Sequence, residues 1–554
     1  MQSSAEHVRT SPARNDAPDI EEKVDIEHAL VEDDPRQWST TRKASILIVV
    51  SAAAVIGGLG ANLYNPAIAQ IQQDLNATSG EISWSISLYL WIQGSFPVFW
   101  SAFSEIYGRK KIYLVSFALG IVGFAVAATA RTIGILIGMR CLQAAGTSAV
   151  FAIGAATLAD IFDPHVRGTM MGIYYGAPLL GPALGPILGG VLSQAWNWRA
   201  TFWFMVVFTG LCLIAFIPFP DTFRRERSLT YQSVLRRRLR EQAKKDAANP
   251  SLSSSTTQIT NTACQAKAGG DKVTSDSNPL TVEMEAVRSD SEAKDLEKSE
   301  DVEGQKVVSR SEDISHEIKE LRLTLKDVNP IRPFASILSR PNNVAILCTS
   351  GLIAAIGYCM TYTCARTLSS KYNYNALQIG LVLLSFGLGS VSGSVIGGRL
   401  SDRTFTRLKE ENGGVGYPEM RLASTKYAML FLPPVTAAYG WCAEKNVHVA
   451  AICIFVFFTG FLSIAMYAST LAYVVDANTG RSSSAVAANG VFRGTSAFIA
   501  TEVAVPLQLA IGDGGLYTLW AGLMIVTELL IVLVWWKGRE WRERCERKEA
   551  LLNR

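Results

Sequence analysis

Residues 172–190 read GIYYGAPLLGPALGPILGG, an uncharged, apolar run that holds six glycines and three prolines. Pro178, Pro182 and Pro186 stand four apart, and so do Gly181, Gly185 and Gly189. In a soluble helix each such proline costs about 3 kcal/mol, and each glycine about 1 kcal/mol, relative to alanine. A helix in lipid escapes much of that penalty. Glycines four apart make a smooth face on which another helix can approach closely. Neighbouring helices satisfy the carbonyls that the prolines leave free, and the prolines bend the segment. The stretch reads as a bent membrane helix packed tightly against its neighbours.

The rest of the chain has the same character. Of its 554 residues 49% are hydrophobic and 18% charged, and the mean hydropathy is positive. A hydrocarbon core about 30 Å thick takes about 20 apolar residues of helix to cross. Twelve stretches qualify: 44–64, 82–103, 112–130, 133–157, 169–192, 200–219, 343–364, 377–398, 423–443, 448–473, 485–509 and 516–536. They are numbered spans 1 to 12 in chain order. The fold class that follows is an all-α membrane protein with twelve transmembrane helices, and the spans exclude a soluble enzyme. Arg109, Lys110, Lys111, Arg167, Arg399, Arg403, Arg407, Lys409, Arg421 and Arg481 gather in short loops on one side. The positive-inside rule makes that side cytoplasmic, together with both termini. The first 43 residues are acidic and polar, with no apolar core resembling a signal peptide. The nine cysteines show no metal or disulfide spacing, and no Walker-type phosphate loop is present.

Six spans, a polar gap at 221–342 and six further spans divide the chain into two halves. The expected organisation is a disordered N-terminal tail (1–43), a six-helix bundle (44–220), a largely disordered cytoplasmic loop (221–342), a second bundle (343–537) and a basic tail (538–554). The gap is too charged and too weakly hydrophobic to support a core. Its basic start, Arg224 to Lys245, suits an amphipathic helix along the membrane face, and the run KGREWRERCERK (537–548) suits a solvated helix extension. An internal repeat supports the two halves. SAFSEIYGRKK (101–111) follows span 2, and GRLSDRTFTRLK (398–409) follows span 8. Aligning Glu105 with Asp402 places Ser104 over Ser401, so a serine–carboxylate pair recurs at the same point of each half. Duplicated halves with a site near the midplane are a common plan for secondary transporters.

At these residues the chain resembles the major facilitator superfamily. That family's motif after its second span, Gly-x-x-x-Asp-Arg-x-Gly-Arg-Arg/Lys, is similar to Ser101, Glu105, Ile106, Gly108, Arg109 and Lys110. Ser replaces the first Gly, Glu the Asp and Ile the first Arg, which leaves Arg109 as the charged gate residue. A carboxylate and basic groups at a helix end make an openable charge latch, with Glu105, Arg109, Asp402 and Arg403 as its members. The alternative is that the basic residues only set topology. RCLQAAGTS (140–148) on span 4 resembles the family's Arg-x-x-Gln-Gly-x-Gly at Arg140, Gln143 and Gly146. The resemblance implies that Arg140 takes part in proton coupling; a purely structural bond to carbonyls is the other reading. The opening stretch matches the family's antiporter motif at Gly172, Gly181, Gly185, Pro186, Gly189 and Gly190. FPDTF (219–223) resembles the end of span 6 in the drug:proton antiporters with twelve spans, and the likeness extends to fungal members such as the quinidine-resistance and dityrosine exporters.

What the resemblance implies is a pair of pseudo-symmetric six-helix bundles exporting a small amphipathic molecule by alternating access. The expected driving force is a proton gradient, with no other cofactor and no metal. The expected partners are the small-molecule substrate, protons and the lipid bilayer. No nucleic acid is involved, the chain is a monomer, and the plasma membrane is its location. Glu502 on span 11 and Glu528 on span 12 are the intramembrane carboxylates that can carry the proton, and Glu502 is preferred because span 11 lines the family's cavity. Substrate-binding candidates are Asn62, Tyr89, Gln93, Tyr358, Tyr362 and Asn489. Arg140 and Arg493 lack matched acids and suit an organic-anion exporter instead; a non-transporting nutrient sensor is the alternative from a different class.

Overall fold

All twelve apolar stretches fold as helix in the computed structural model, which describes residues 33–162, 164–225, 231, 234–235, 237–238, 241, 331–478 and 481–552. Among these residues there is no strand. Among the described residues nine helices are long and apolar enough to cross a membrane. Three local features account for the difference from twelve. Span 2 is two helices, Ser79–Ser95 and Pro97–Tyr107, separated where Pro97 cannot donate its missing N–H. Span 9, Lys426–Glu444, starts and ends on a charge and carries Pro433 and Pro434. Spans 11 and 12 run together as Ser482–Leu552 and are parted only at Gly512, whose φ of 73° is open to glycine without strain.

That turn is held by charge. Asp513 is buried, and its carboxylate accepts from Lys371 at 3.0 Å, from Thr367 at 3.1 Å and from Gln508 at 2.6 Å. Its backbone N–H donates to Glu444 at 2.9 Å. Spans 7, 9, 11 and 12 are thereby tied at one end of the molecule.

Within the first half span 3 packs on spans 4 and 6, and span 5 on span 1; within the second, span 8 packs on span 10 and span 7 on the spans 11–12 helix. Rings fill the space between spans 3 and 6, with Tyr113 and Phe216 centroids 4.4 Å apart. Two further packings join the halves: span 5 on span 8, and span 2 on span 11. The outward faces are apolar, with Val207, Leu211, Leu430 and Leu529 each more than half exposed. A stripe of that kind suits acyl chains rather than water.

The ends of the chain add detail. Helix begins at Thr40, so only residues 1–32 of the acidic tail lie outside the described residues. Most of 221–342, including most of the suggested amphipathic helix at 224–245, lies outside them as well. A helix at Ile331–Leu338 precedes span 7, which starts at Pro341. The basic C-terminal run is a helix extension, and it is docked. Arg340, only 4% exposed, holds Glu549 with two bonds of 3.0 and 2.9 Å; Arg481 reaches the same carboxylate at 2.6 Å. Arg542 pairs with Glu419 at 3.2 Å.

The glycine comb of span 5 meets backbone. A Cβ on Gly181 would overlap the Gly58 backbone of span 1, and one on Gly185 would stand 2.9 Å from Asn62 Cβ. A Cβ on Gly172 or Gly176 would meet nothing within 4 Å. Gly181→Val should therefore destabilise the fold by about 1–3 kcal/mol through overpacking. Gly172→Ala should be neutral or stabilising by up to about 1 kcal/mol through helix propensity. Thermal unfolding of the purified variants in detergent checks the contrast, and equal midpoints for the two would refute it.

Candidate functional site

Two arginine clamps close matching ends of the two halves. Arg109 opens span 3 and is buried; its Nε donates to Asp160 at 3.4 Å, its Nη1 to Ser104 Oγ at 2.5 Å, and its guanidinium lies 4.8 Å from the Phe223 ring. In the second half the equivalent group is Arg421, just before span 9. It donates to Asp476 at 2.5 Å and to Asp402 at 2.8 Å, with Phe405 at 4.8 Å. Asp160 and Asp476 each end the fourth span of their half, so the clamp is repeated. Arg403, expected beside Asp402, is exposed, and Arg421 takes the place because it approaches from the neighbouring helix rather than along the same one. Glu105 is half-buried next to this cluster in sequence, but the carboxylate that Arg109 holds belongs to Asp160.

The FPDTF segment completes the first clamp. Asp221 accepts the backbone N–H of Arg109 at 3.1 Å, and Thr222 donates to Asp160 at 3.3 Å. Gly108 has φ 88°, and a Cβ there would overlap the Asp221 carboxylate, so two requirements converge on glycine.

Between the clamps and the opposite end run the two inter-half seams. Gly190 lies against Ala376 and Leu377 at the head of span 8, Pro186 against Gly380, and Ala183 against Gly387. Beyond the short 3-10 turn Ala177–Leu179, built around Pro178, the other half of span 5 turns to spans 1 and 4. Gly172, the first position of the expected motif, is on that side and takes no part in the seam. The second seam has the same construction: Gly94 of span 2 packs on the backbone of Gly490 and Gly494 of span 11.

Polar groups line the second seam. Ser87 donates to Glu502 at 2.5 Å, joining span 2 to span 11, and Ser83 donates to the Thr501 carbonyl at 2.9 Å. Two residues before Ser87, the Ser85 carbonyl accepts from Arg140 Nε at 2.9 Å. The Arg140 guanidinium, 1% exposed, sits between the rings of Tyr64 at 4.2 Å and Tyr89 at 4.6 Å. Gln93 donates to the Gly57 carbonyl at 2.9 Å and to Tyr89 at 3.4 Å, and Asn62 bonds its own helix at Gly58. On the other side Asn489 donates to Tyr467 at 3.4 Å, and Arg493 stacks on the same ring at 4.0 Å. Tyr358 is half-buried within electrostatic reach of both Arg493 and Tyr467, whereas Tyr362 is buried nearer Tyr64 and Glu502. Glu528 is half-buried on span 12 and has one buried oxygen without a hydrogen-bond partner.

The model of the Major Facilitator Superfamily matches residues 50–501. The chain belongs to that superfamily. As a superfamily member it is a multi-pass membrane transporter of small molecules and carries out no covalent chemistry. Its curated relatives include the MFS antiporter QDR3 of Candida albicans, 29% identical over 93% of this chain and 80% of that protein. Quinidine resistance protein 3 of Saccharomyces cerevisiae is 25% identical, over 93% of this chain and 85% of its own. Citrate exporter 1 of Aspergillus niger is 24% identical, over 92% and 89%.

Of the residues singled out in the sequence, the structure brings Arg109 and Asp402 into the clamps and Glu502 into the second seam; Asp160, Asp476, Arg421, Asp221 and Ser87, which stand beside them, were not among those candidates. One signal was within reach: an aspartate closes the fourth span of each half, at LADIF (158–162) and YVVDAN (473–478). The clamps invite a double-mutant cycle. Arg421 with Asp476 should show a coupling of about 1.5–3 kcal/mol, as a partly buried charge-assisted bond. Arg421 with Asp402, whose side chain is 74% exposed, should show less than about 1 kcal/mol. Denaturation midpoints of the four variants in each cycle measure both, and a larger Asp402 term would reverse the assignment.

Proposed function

We propose that this superfamily member is a proton-coupled antiporter that exports small amphipathic molecules across the plasma membrane by alternating access. The observation that carries the proposal is the asymmetry of the span 5–span 8 seam. The seam is in backbone contact from Gly190 to Ala183, while beyond the Pro178 turn a Cβ on Gly172 or Gly176 would meet nothing within 4 Å and this part of span 5 packs on spans 1 and 4 of its own half. A seam closed at one end and unpaired at the other is the form expected of one state in a rocking cycle. In this proposal the clamped end is cytoplasmic, both chain ends lie there, and the molecule works as a monomer.

Glu502 is the proposed proton carrier. Its bond to Ser87 crosses from one half to the other. A bond from a hydroxyl to a charged carboxylate is roughly twice as strong as a neutral one. Protonation of Glu502 therefore weakens the tie between spans 2 and 11, and loss of the proton restores it. Arg140 holds the same segment of span 2 through Ser85, so a shift of that segment is felt by both groups. Asn62, Tyr89, Gln93, Tyr358, Tyr362 and Asn489 supply polar aromatic and amide contacts for an amphipathic ligand in this scheme.

Proteoliposomes loaded with a mixed panel of fluorescent drugs and organic acids test the function. An imposed pH gradient should drive loss of one compound class, and Glu502→Gln should reduce that gradient dependence at least tenfold while leaving the protein in the membrane. Unchanged gradient dependence would remove Glu502 from the coupling scheme. Spin labels at Gly172 and Gly398 should report distances that change between pH 5 and pH 8. One distance at both values would count against rocking at this end.

A further inference from the structure

Two arginines within the spans, Arg140 and Arg493, and a third just past the end of span 7, Arg366, have no carboxylate as partner among the described residues. Arg140 Nη2, Arg366 Nη1 and Arg493 Nη1 are each buried without a hydrogen-bond partner. The carboxylate at the seam, Glu502, is occupied by Ser87. A guanidinium held away from water must pair, face water or bind an anion. The arginines of the two clamps show the paired solution, each against an aspartate. Arg140, Arg366 and Arg493 do not.

The surroundings of Arg493 differ from those of the other two. Arg140 is enclosed between two rings and is 1% exposed. Arg493 is only half-buried, with Tyr467 of span 10 stacked 4.0 Å from its guanidinium carbon. One turn earlier on the same face stands Asn489, whose amide nitrogen is fixed by the Tyr467 hydroxyl and whose Oδ1 is buried without a partner. Tyr358 of span 7 lies within electrostatic reach of Arg493 and Tyr467, and half-buried Tyr175 of span 5 within reach of Tyr467. Two tyrosines from two spans, Tyr467 and Tyr358, thus stand by a guanidinium with an uncommitted donor, and a third from the other half, Tyr175, stands within reach of Tyr467. Stacking keeps the guanidinium plane fixed, and its fork matches a carboxylate with two parallel bonds. The tyrosine faces suit a planar apolar body beside it.

We propose that the molecule carried is a small organic anion of the aromatic carboxylate class, its carboxylate bound by Arg493 and its ring lying among Tyr467, Tyr358 and Tyr175. Asn489 Oδ1 accepts from a hydroxyl or N–H of the same molecule. A cationic drug in this place meets like charge at close range in a medium of low dielectric, which disfavours it. The proposal rests on the exporter reading above and narrows it to one substrate class.

The test uses the full-length protein purified in detergent, with benzoate, salicylate, indole-3-acetate, citrate and quinidine as probes. Binding by isothermal calorimetry should be detected for at least one aromatic carboxylate and be weaker for citrate and quinidine. Arg493→Gln should weaken that binding at least tenfold. Arg493→Lys, which keeps the charge and loses the fork, should weaken it less. Asn489→Ala should reduce affinity for salicylate and indole-3-acetate but not for benzoate, which has no hydroxyl or N–H. Thermal unfolding without ligand shows whether each variant is folded, and the lysine and alanine variants keep the test alive if glutamine alone unfolds the protein. Aromatic carboxylate binding that Arg493→Gln leaves unchanged would overturn the proposal, as would failure of every aromatic carboxylate to bind the wild type. Gradient-driven efflux of a cation from proteoliposomes would sink the carboxylate proposal and leave antiport standing. Carboxylate binding without any gradient-driven movement would do the reverse.

Discussion

Backbone against backbone is the contact on which the arrangement depends. In lipid no hydrophobic force drives one helix onto another, so association must come from close packing and polar bonds. Span 5 serves two neighbours at once. Gly181, Gly185 and Gly189 form one stripe against span 1, and Ala183, Pro186 and Gly190 form a second against span 8. No residue larger than alanine or proline stands on either stripe. The prolines fit the same logic, because Pro178 sets the short turn at which the helix leaves span 8 and turns to its own half. A segment that is poor at being a helix is well suited to being a spacer of minimal thickness between two others.

Charge is distributed in a second pattern. At the end of each half an arginine is neutralised by the aspartate that closes the fourth span, and it also lies against an aromatic ring. Nearer the middle, arginines stack on tyrosines and lack acids. The terminal pairs can open when water reaches them, because their partners are partly exposed. The central ones have no such exchange within the chain and keep their charge for something that arrives.

The helical fold was plain in the sequence, because twelve long, predominantly apolar runs leave a chain few other choices. The glycine seam was legible from Gly181 to Gly190, whereas Gly172 stands apart from it because the Pro178 turn reorients the helix between them. Sequence spacing cannot show such a rotation. Of the polar site, Arg140 stood out because an arginine in an apolar run is costly wherever it points. Its partner did not, since a backbone carbonyl at Ser85 has no sequence signature. Asp160 and Arg421 were hidden for a related reason: each sits at a helix end among ordinary loop charges, and only the packing of adjacent helices turns it into half of a clamp. Ser87 acquires meaning from Glu502, more than 400 residues away in the chain.

The docked C-terminal helix has a consequence for the order in which the protein is made. Arg340 stands at the entrance to span 7 and is 4% exposed, yet the carboxylate that satisfies it, Glu549, lies 209 residues downstream. Arg481 and Glu419 likewise wait for partners from the same terminal helix. During synthesis the second half can insert all of its spans and still hold these groups unmatched until the helix that follows span 12 has been made. This end of the bundle is therefore completed only after the last span has been made, and a nascent chain released before that helix lacks the charges that complete it.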